Sequence, residues 1–262
     1  MQALSAAWLA HFDYGRLDIE AANVHVRSCI FLSNQSDDSI RSRVSLVVAQ
    51  VMHLAGRYDL AKSWYIRANF HANREGDEAT VGAILHNMAW LHMSNFRQAH
   101  FVTESMFVQD INILLSAESA KNFDLIFNVN TLAALEPILR AQIFSLRGQW
   151  FEALELYELY FCSPSIKGAS RFLAISLADR TWCRLKIGEK SHIQEDIILV
   201  SRHLEGYIQI DERAAVYSRL SEIFEELGYL DEMNRYQQLA KNSWRSFLTL
   251  QESALELFGE MQ

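Results

Sequence analysis

Seven of the ten glycines in this 262-residue chain form a near-regular series: Gly56 and Gly76, then Gly148, Gly168, Gly188, Gly206 and Gly228. Within the two groups the intervals are 20, then 20, 20, 18 and 22 residues. Glycine weakens a helix interior and is favoured just past a helix C-terminus, where φ turns positive. Even spacing therefore reads as punctuation between helices of similar length. Polar clusters extend the series where glycine is missing: Gly15 begins it, Ser33-Asn34-Gln35-Ser36-Asp37-Asp38 follows, and Ser94-Asn95 comes eighteen residues after Gly76. Gly82 does not fit the series and is expected inside a helix, where a neighbour packs closely.

Between the breaks the apolar residues recur at helical steps. Val44, Val47, Val48, Val51 and Met52 follow three- and four-residue spacing, as do Tyr217, Leu220, Ile223, Phe224 and Leu227. Two prolines in the whole chain leave few helix breakers. The spacing predicts about twelve helices, near 2–13, 16–33, 38–55, 58–74, 77–93, 96–121, 123–147, 150–161, 167–187, 190–204, 209–227 and 230–258. Taken in pairs they give a unit of about 40 residues repeated about six times, and a repeat at that period implies a helical solenoid. The expected fold is all-α, one domain over residues 1–262, closed by a long capping helix near 230–258. One interval departs: 53 residues separate Asn95 from Gly148. Pro137 lies within it, predicting a kink or a helix restart near Glu136.

Charge and targeting narrow the partners. Lys and Arg number 24 against 32 Asp and Glu, for a net charge of −8, which argues against a phosphate-binding face and hence against nucleic acid. The N-terminus lacks the basic start and apolar core of a secretory signal, and no uncharged apolar stretch reaches the ~18 residues of a membrane span. Cys29, Cys162 and Cys183 are odd in number and widely spaced, predicting three buried reduced thiols and a cytoplasmic protein.

The segment Gly56-Arg57-Tyr58-Asp59-Leu60-Ala61-Lys62-Ser63-Trp64-Tyr65-Ile66-Arg67-Ala68 resembles the second half of a tetratricopeptide repeat. That family places a glycine at the inter-helix turn, then aromatic, small, aromatic and small residues down the second helix, matched here by Gly56, Tyr58, Ala61, Tyr65 and Ala68. Small residues let neighbouring helices approach, and the aromatics fill the wedge between them. Gly148-Gln149-Trp150-Phe151-Glu152-Ala153-Leu154-Glu155-Leu156-Tyr157 matches again, with Tyr160 in place of the last small residue. Looser copies begin at Gly228 (Leu230, Met233, Ala240), at Gly188, at Ser94-Asn95-Phe96-Arg97-Gln98-Ala99 and at Gly15-Arg16-Leu17. The period exceeds the family's usual 34. The resemblance implies a right-handed superhelix of antiparallel helix pairs that binds a protein or peptide in a concave groove. It implies an adaptor or, alternatively, a peptide- or ligand-responsive regulator.

In such a solenoid the first helices of successive pairs line the groove. The repeat registers place Arg43, Leu46, Gln50 and His53 there, then His86, Asn87 and Trp90, then Gln142, then Asp179 and Trp182, and finally Arg219, Glu222 and Glu225. Trp90 and Trp182 are candidate anchors because tryptophan is enriched among binding hot spots, although core packing explains them equally well. The family's carboxylate clamp, with paired Lys/Arg and Asn, is not reproduced: Asn87 has no matching lysines in neighbouring copies. No dinucleotide, phosphate-loop, zinc-protease or serine-hydrolase motif occurs, so no enzyme activity and no cofactor are expected. The histidines His71, His86, His92 and His100 are spaced 15, 6 and 8 apart, unlike helical zinc ligands, and read as packed or surface residues. Residues 205–262 hold eleven acidic against five basic side chains, a surplus that would steer a basic partner or simply aid solubility. On the last helix Met233, Tyr236, Ala240, Trp244, Phe247, Leu255 and Phe258 form a capping stripe. Leu239, Leu250 and Leu257 fall partly outside it and, if exposed, would make a homodimer seam or a docking site.

Overall fold

A computed structural model describes residues 2–33, 37–103, 118, 119, 122, 126, 136–162, 173–206 and 208–261. Among them there is no strand. Eleven α-helices follow one another: α1 (Gln2–Gly15), α2 (Ile19–Leu32), α3 (Asp38–Leu54), α4 (Tyr58–Glu75), α5 (Glu78–Gln98), α6 (Glu136–Leu146), α7 (Trp150–Phe161), α8 (Leu173–Lys186), α9 (Ile193–Leu204), α10 (Ile210–Glu226) and α11 (Leu230–Phe258). The all-α reading holds. No helix is long and apolar enough to cross a membrane among the described residues.

The punctuation has a repeated backbone form. Gly56, Gly76, Gly148, Gly188 and Gly228 all take φ between +73° and +86°. After each, the next residue returns its N–H to the carbonyl five positions back: Arg57 to Met52, Asp77 to Ala72, Gln149 to Phe144, Glu189 to Arg184 and Tyr229 to Phe224, at 2.9–3.0 Å. This closes the helix end and satisfies its orphan carbonyls. The first turn uses the same closure, Asp18 N–H to the Asp13 carbonyl at 2.9 Å, but its left-handed residue is Leu17 (φ +58°), not Gly15. At helix starts Asp18, Asp37 and Asp77 accept from the N–H groups of Ala21, Ile40 and Thr80.

Two expectations change, whereas the helix restart expected near Glu136 agrees with the described start of α6. The expected break at Ser94-Asn95 is absent: α5 runs through it and continues as a π-helical turn over Ala99–Thr103, with the Ser94 hydroxyl spent on Asp211 Oδ2 at 2.7 Å. Pro137 sits in the first turn of α6 as described, a position where its missing N–H costs nothing. Cys162 is exposed, whereas Cys29 and Cys183 are buried. Gly82 is buried inside α5, as expected. Gly168, residues 34–36 and most of the 53-residue interval lie outside the described residues.

The described residues gather into two compact units, residues 1–91, 122–131 and 248–262, and residues 92–121 and 132–247. In unit 1, α1 packs on α2 and α3, and α3 packs on α2 and α4. The α3–α4 contact is close because the facing residues are small: Ala61 and Ala68 are buried, and the Ser42 hydroxyl donates to the Ala68 carbonyl at 3.1 Å. Gln251 of α11 donates to the Leu54 carbonyl at 2.6 Å, closing the α3 C-terminus. In unit 2, α6 packs on α7 and α8, α7 on α8, and α8 on α9 and α10. Ala141, Ala153, Tyr157 and Cys183 form one core there, with Phe144, Trp150 and Leu154 against it. The α10 face meets α11 through Phe224 stacked on Tyr236 and Trp244 Nε1 donating to Ser218 Oγ at 3.0 Å. On α11 Ala240, Trp244, Phe247 and Phe258 are buried, while Leu239, Leu250 and Leu257 are half-buried and Leu255 is exposed.

Candidate functional site

The strongest convergence of chemistry is in unit 2, where α6, α8 and α10, the first helices of their hairpins, present side chains to one another and to the end of α5. Arg219 of α10 is 2% exposed, and its Nε donates to Asp179 Oδ1 of α8 at 2.8 Å. Its Nη1 donates to Glu222, one helical turn on. Tyr157 of α7 gives its hydroxyl to the other Asp179 oxygen at 3.4 Å. Beside them Arg97, at the end of α5, donates to Gln142 Oε1 of α6 at 2.7 Å, with both side chains buried. Two buried guanidinium groups are tolerable only because each has partners in place; an unpaired one would cost several kcal/mol.

Aromatic rings alternate with the cations. The Arg219 guanidinium lies 5.1 Å from the Phe101 ring and 5.3 Å from the Trp182 ring. Lys186 continues the row, 5.0 Å from Trp182 and 5.5 Å from Trp150, while its Nζ holds Glu226 at 3.0 Å. Phe101, Trp182, Trp150 and Lys186 are all half-buried, so the row surfaces where Arg219 does not. Asp179 and Trp182 on α8 stand 40 residues before Arg219 and Glu222 on α10.

The electrostatics follow from burial. His100, 3.8 Å from Glu222, is brought down to about 4, first by loss of water and then by Arg219, with Asp179 pulling the other way. Glu222 is raised by burial against the pull of Arg219. The Cys183 thiol, donating to Ser145 Oγ at 3.5 Å, is pushed up to about 12 by burial. Tyr157 stands well above its ordinary value for the same reason, with Asp179 adding to it. Arg219 is held above its ordinary value, because Glu222 and Asp179 outweigh the burial that works against its charge.

The remaining predicted site residues, Glu225 apart, lie in unit 1. Arg43 of α3 bonds the Ser39 hydroxyl at 2.6 Å, pairs with Asp77 at 3.5 Å and lies 4.9 Å over the Trp8 ring. His53 is buried edge-on to Tyr58 and Tyr65 at 5.1 and 6.0 Å. Leu46, Gln50 and His86 are buried, Asn87 and Trp90 half-buried, and Glu225 of unit 2 exposed. The structure thus brings Gln142, Asp179, Trp182, Arg219 and Glu222 into one neighbourhood, and leaves Gln50, His53, His86, Gln142, Asp179 and Arg219 with almost no surface of their own.

Sequence reasoning missed Lys186, Trp150, Phe101, Arg97 and Tyr157, and in unit 1 the exposed Trp8 and Phe12. Lys186 was findable: it lies one turn beyond Trp182 on the same face of α8. Phe101 and Arg97 were not, because the expected break at Ser94 moved them onto the wrong helix. Among the described residues no three His, Cys, Asp or Glu side chains cluster as a metal ion would need. No protein-family model, curated protein or solved structure matches the chain.

Proposed function

We propose that the chain is a tetratricopeptide-like scaffold without catalytic chemistry of its own, its antiparallel helix pairs stacked as a right-handed solenoid. It would bind a partner protein or peptide along the face of its first helices. The observation that carries this reading is the row Trp150, Lys186, Trp182, Arg219 and Phe101, which combines half-buried aromatic rings with two paired cations, Arg219 on buried Asp179 and Lys186 on exposed Glu226. Preorganised Trp and Arg groups are the currency of binding hot spots, because ordering them costs nothing further on association. The repeat supports it: hairpin turns sit 39 residues apart at Leu17 and Gly56 and 40 apart at Gly148, Gly188 and Gly228. So does the pattern in which first helices touch, α1 on α3, α6 on α8 and α8 on α10. The buried signature positions Ala61, Tyr65, Ala68, Ala153 and Tyr157 agree with close helix stacking. Buried Cys29 and Cys183, neither in a disulfide, suit a cytoplasmic setting.

In this reading the buried carboxylates and arginines set the shape of the face, and the partner meets Trp182, Lys186, Trp150 and the Glu222–Glu226 rim. The test is affinity capture from the native host with the wild type, Trp182→Ala and Trp90→Ala, each checked for unchanged circular dichroism. Loss of a partner with Trp182→Ala supports the assignment. If both variants retain every partner, the face is wrong.

A further inference from the structure

On its outward side α7 carries a second feature that the face of the first helices does not explain. Its inward residues Ala153, Tyr157 and Tyr160 are buried. Phe151, Leu154, Glu155, Glu158 and Leu159 of α7, with the capping Cys162, line an open apolar groove of about 600 Å³, Leu154 being half-buried against the core. Phe151 and Leu159, two turns apart on the helix, are 68% and 69% exposed. The steps 151, 154/155, 158/159 and 162 are those of a helix–helix seam, running some 18 Å along the twelve residues of α7.

The unpaired charge along this face is acidic. The α7 sequence Trp150–Phe161 holds Glu152, Glu155 and Glu158 and no lysine, arginine or histidine. Glu158 is paired with Arg184 at 2.7 Å, whereas Glu152 and Glu155 are exposed and make no ion pair among the described residues. Two copies of this face set against each other would place glutamates against glutamates, which disfavours a symmetric dimer through it. An incoming helix with an apolar stripe edged by lysine or arginine meets both requirements, filling the groove and neutralising the rim.

We infer that the outer face of α7 is a docking groove for a basic amphipathic helix of a partner protein. The inference does not rest on the first-helix face proposed above. The probes are two dye-labelled helical peptides with the same leucine stripe, one edged with lysine and one with glutamate, titrated against the full chain by fluorescence anisotropy. The lysine peptide is expected to bind, and the glutamate peptide to bind at least about ten-fold more weakly. Leu159→Asp, at a position with little buried surface to lose, should abolish binding, and the double variant Glu152→Lys/Glu155→Lys should invert the preference. Trp182→Ala should leave the titration unchanged, which separates this groove from the other face. Equal binding of the two peptides, binding that survives Leu159→Asp, or no binding of either overturns the inference. So does sedimentation showing a wild-type dimer that Leu159→Asp dissociates, because the groove would then be a self-contact.

Discussion

Arg219 concentrates the buried charge of unit 2, and its removal and its replacement should differ sharply. Arg219→Ala leaves Asp179 buried beside Tyr157 without its ion-pair partner, and is expected to cost about 3–5 kcal/mol in chemical denaturation. The double variant Arg219→Met/Asp179→Leu should lose much less, since apolar packing replaces both charges. A double variant as unstable as Arg219→Ala would show that the pair itself, not the stranded carboxylate, holds α8 to α10. His100 gives a pH signature of known sign. Its folded value lies near 4, below the 6.5 of the unfolded chain, so between those values the unfolded state binds more protons and stability falls as pH falls. Glu222, raised on folding, works in the opposite direction within part of that window. The histidine's share is therefore read as a difference: His100→Gln should lose stability less steeply than the wild type between pH 6.5 and 4. The thiols separate by access. A disulfide reagent at mild alkaline pH is expected to label Cys162 at once in the native protein, and Cys29 and Cys183 only after unfolding, because burial holds them at about 11 and 12.

For the elements, the backbone of the turns matters more than their side-chain space. An alanine Cβ at Gly56 would touch nothing within 4 Å, yet φ there is +75°. Gly56→Ala should thus cost about 1–2 kcal/mol from backbone strain alone, and Gly56→Asn less. Gly206, whose φ is not positive, should accept alanine with little change in melting temperature. These turns are also where the sequence was most legible. Eight of the eleven helices fall within three residues of their expected limits at both ends, because glycine's conformational freedom leaves a mark that one residue type almost monopolises. Leu17 shows the limit of that signal: the same closure is built with a left-handed leucine, so the series pointed to Gly15, two residues early. Ser94 shows another. Serine suits a helix end by local propensity, but Asp211, 117 residues away, takes its hydroxyl and the helix runs on. The faces were read less well than the elements. Register placed Asp179 and Arg219 on a common side, but not that both would be sealed inside, since burial depends on what Phe101 and Tyr157 bring from elsewhere in the chain.

For the whole molecule, charge is unevenly distributed: eleven acidic against five basic side chains fall in residues 205–262. If the proposed scaffold takes a basic partner, its association rate should fall steeply as salt rises from low to physiological concentration. The dissociation rate should move little, because rim charges act on encounter more than on the settled contact. Stopped-flow measurement across a salt series would show this, and a salt-independent association rate would mean that the acidic surplus serves solubility. The groove on α7 and the row at Trp182 would then report independently, through their own variants.

The alternation of rings and cations also has an optical consequence. Trp8, Trp64, Trp150 and Trp182 each have an arginine or lysine within 4.6–5.5 Å of the ring. The excited state of an indole carries a larger dipole than its ground state, so the colour of its emission follows the position of a nearby charge. Any visitor that draws Lys186 aside will change the light given off by Trp150 and Trp182, and the protein comes with its own dye already attached.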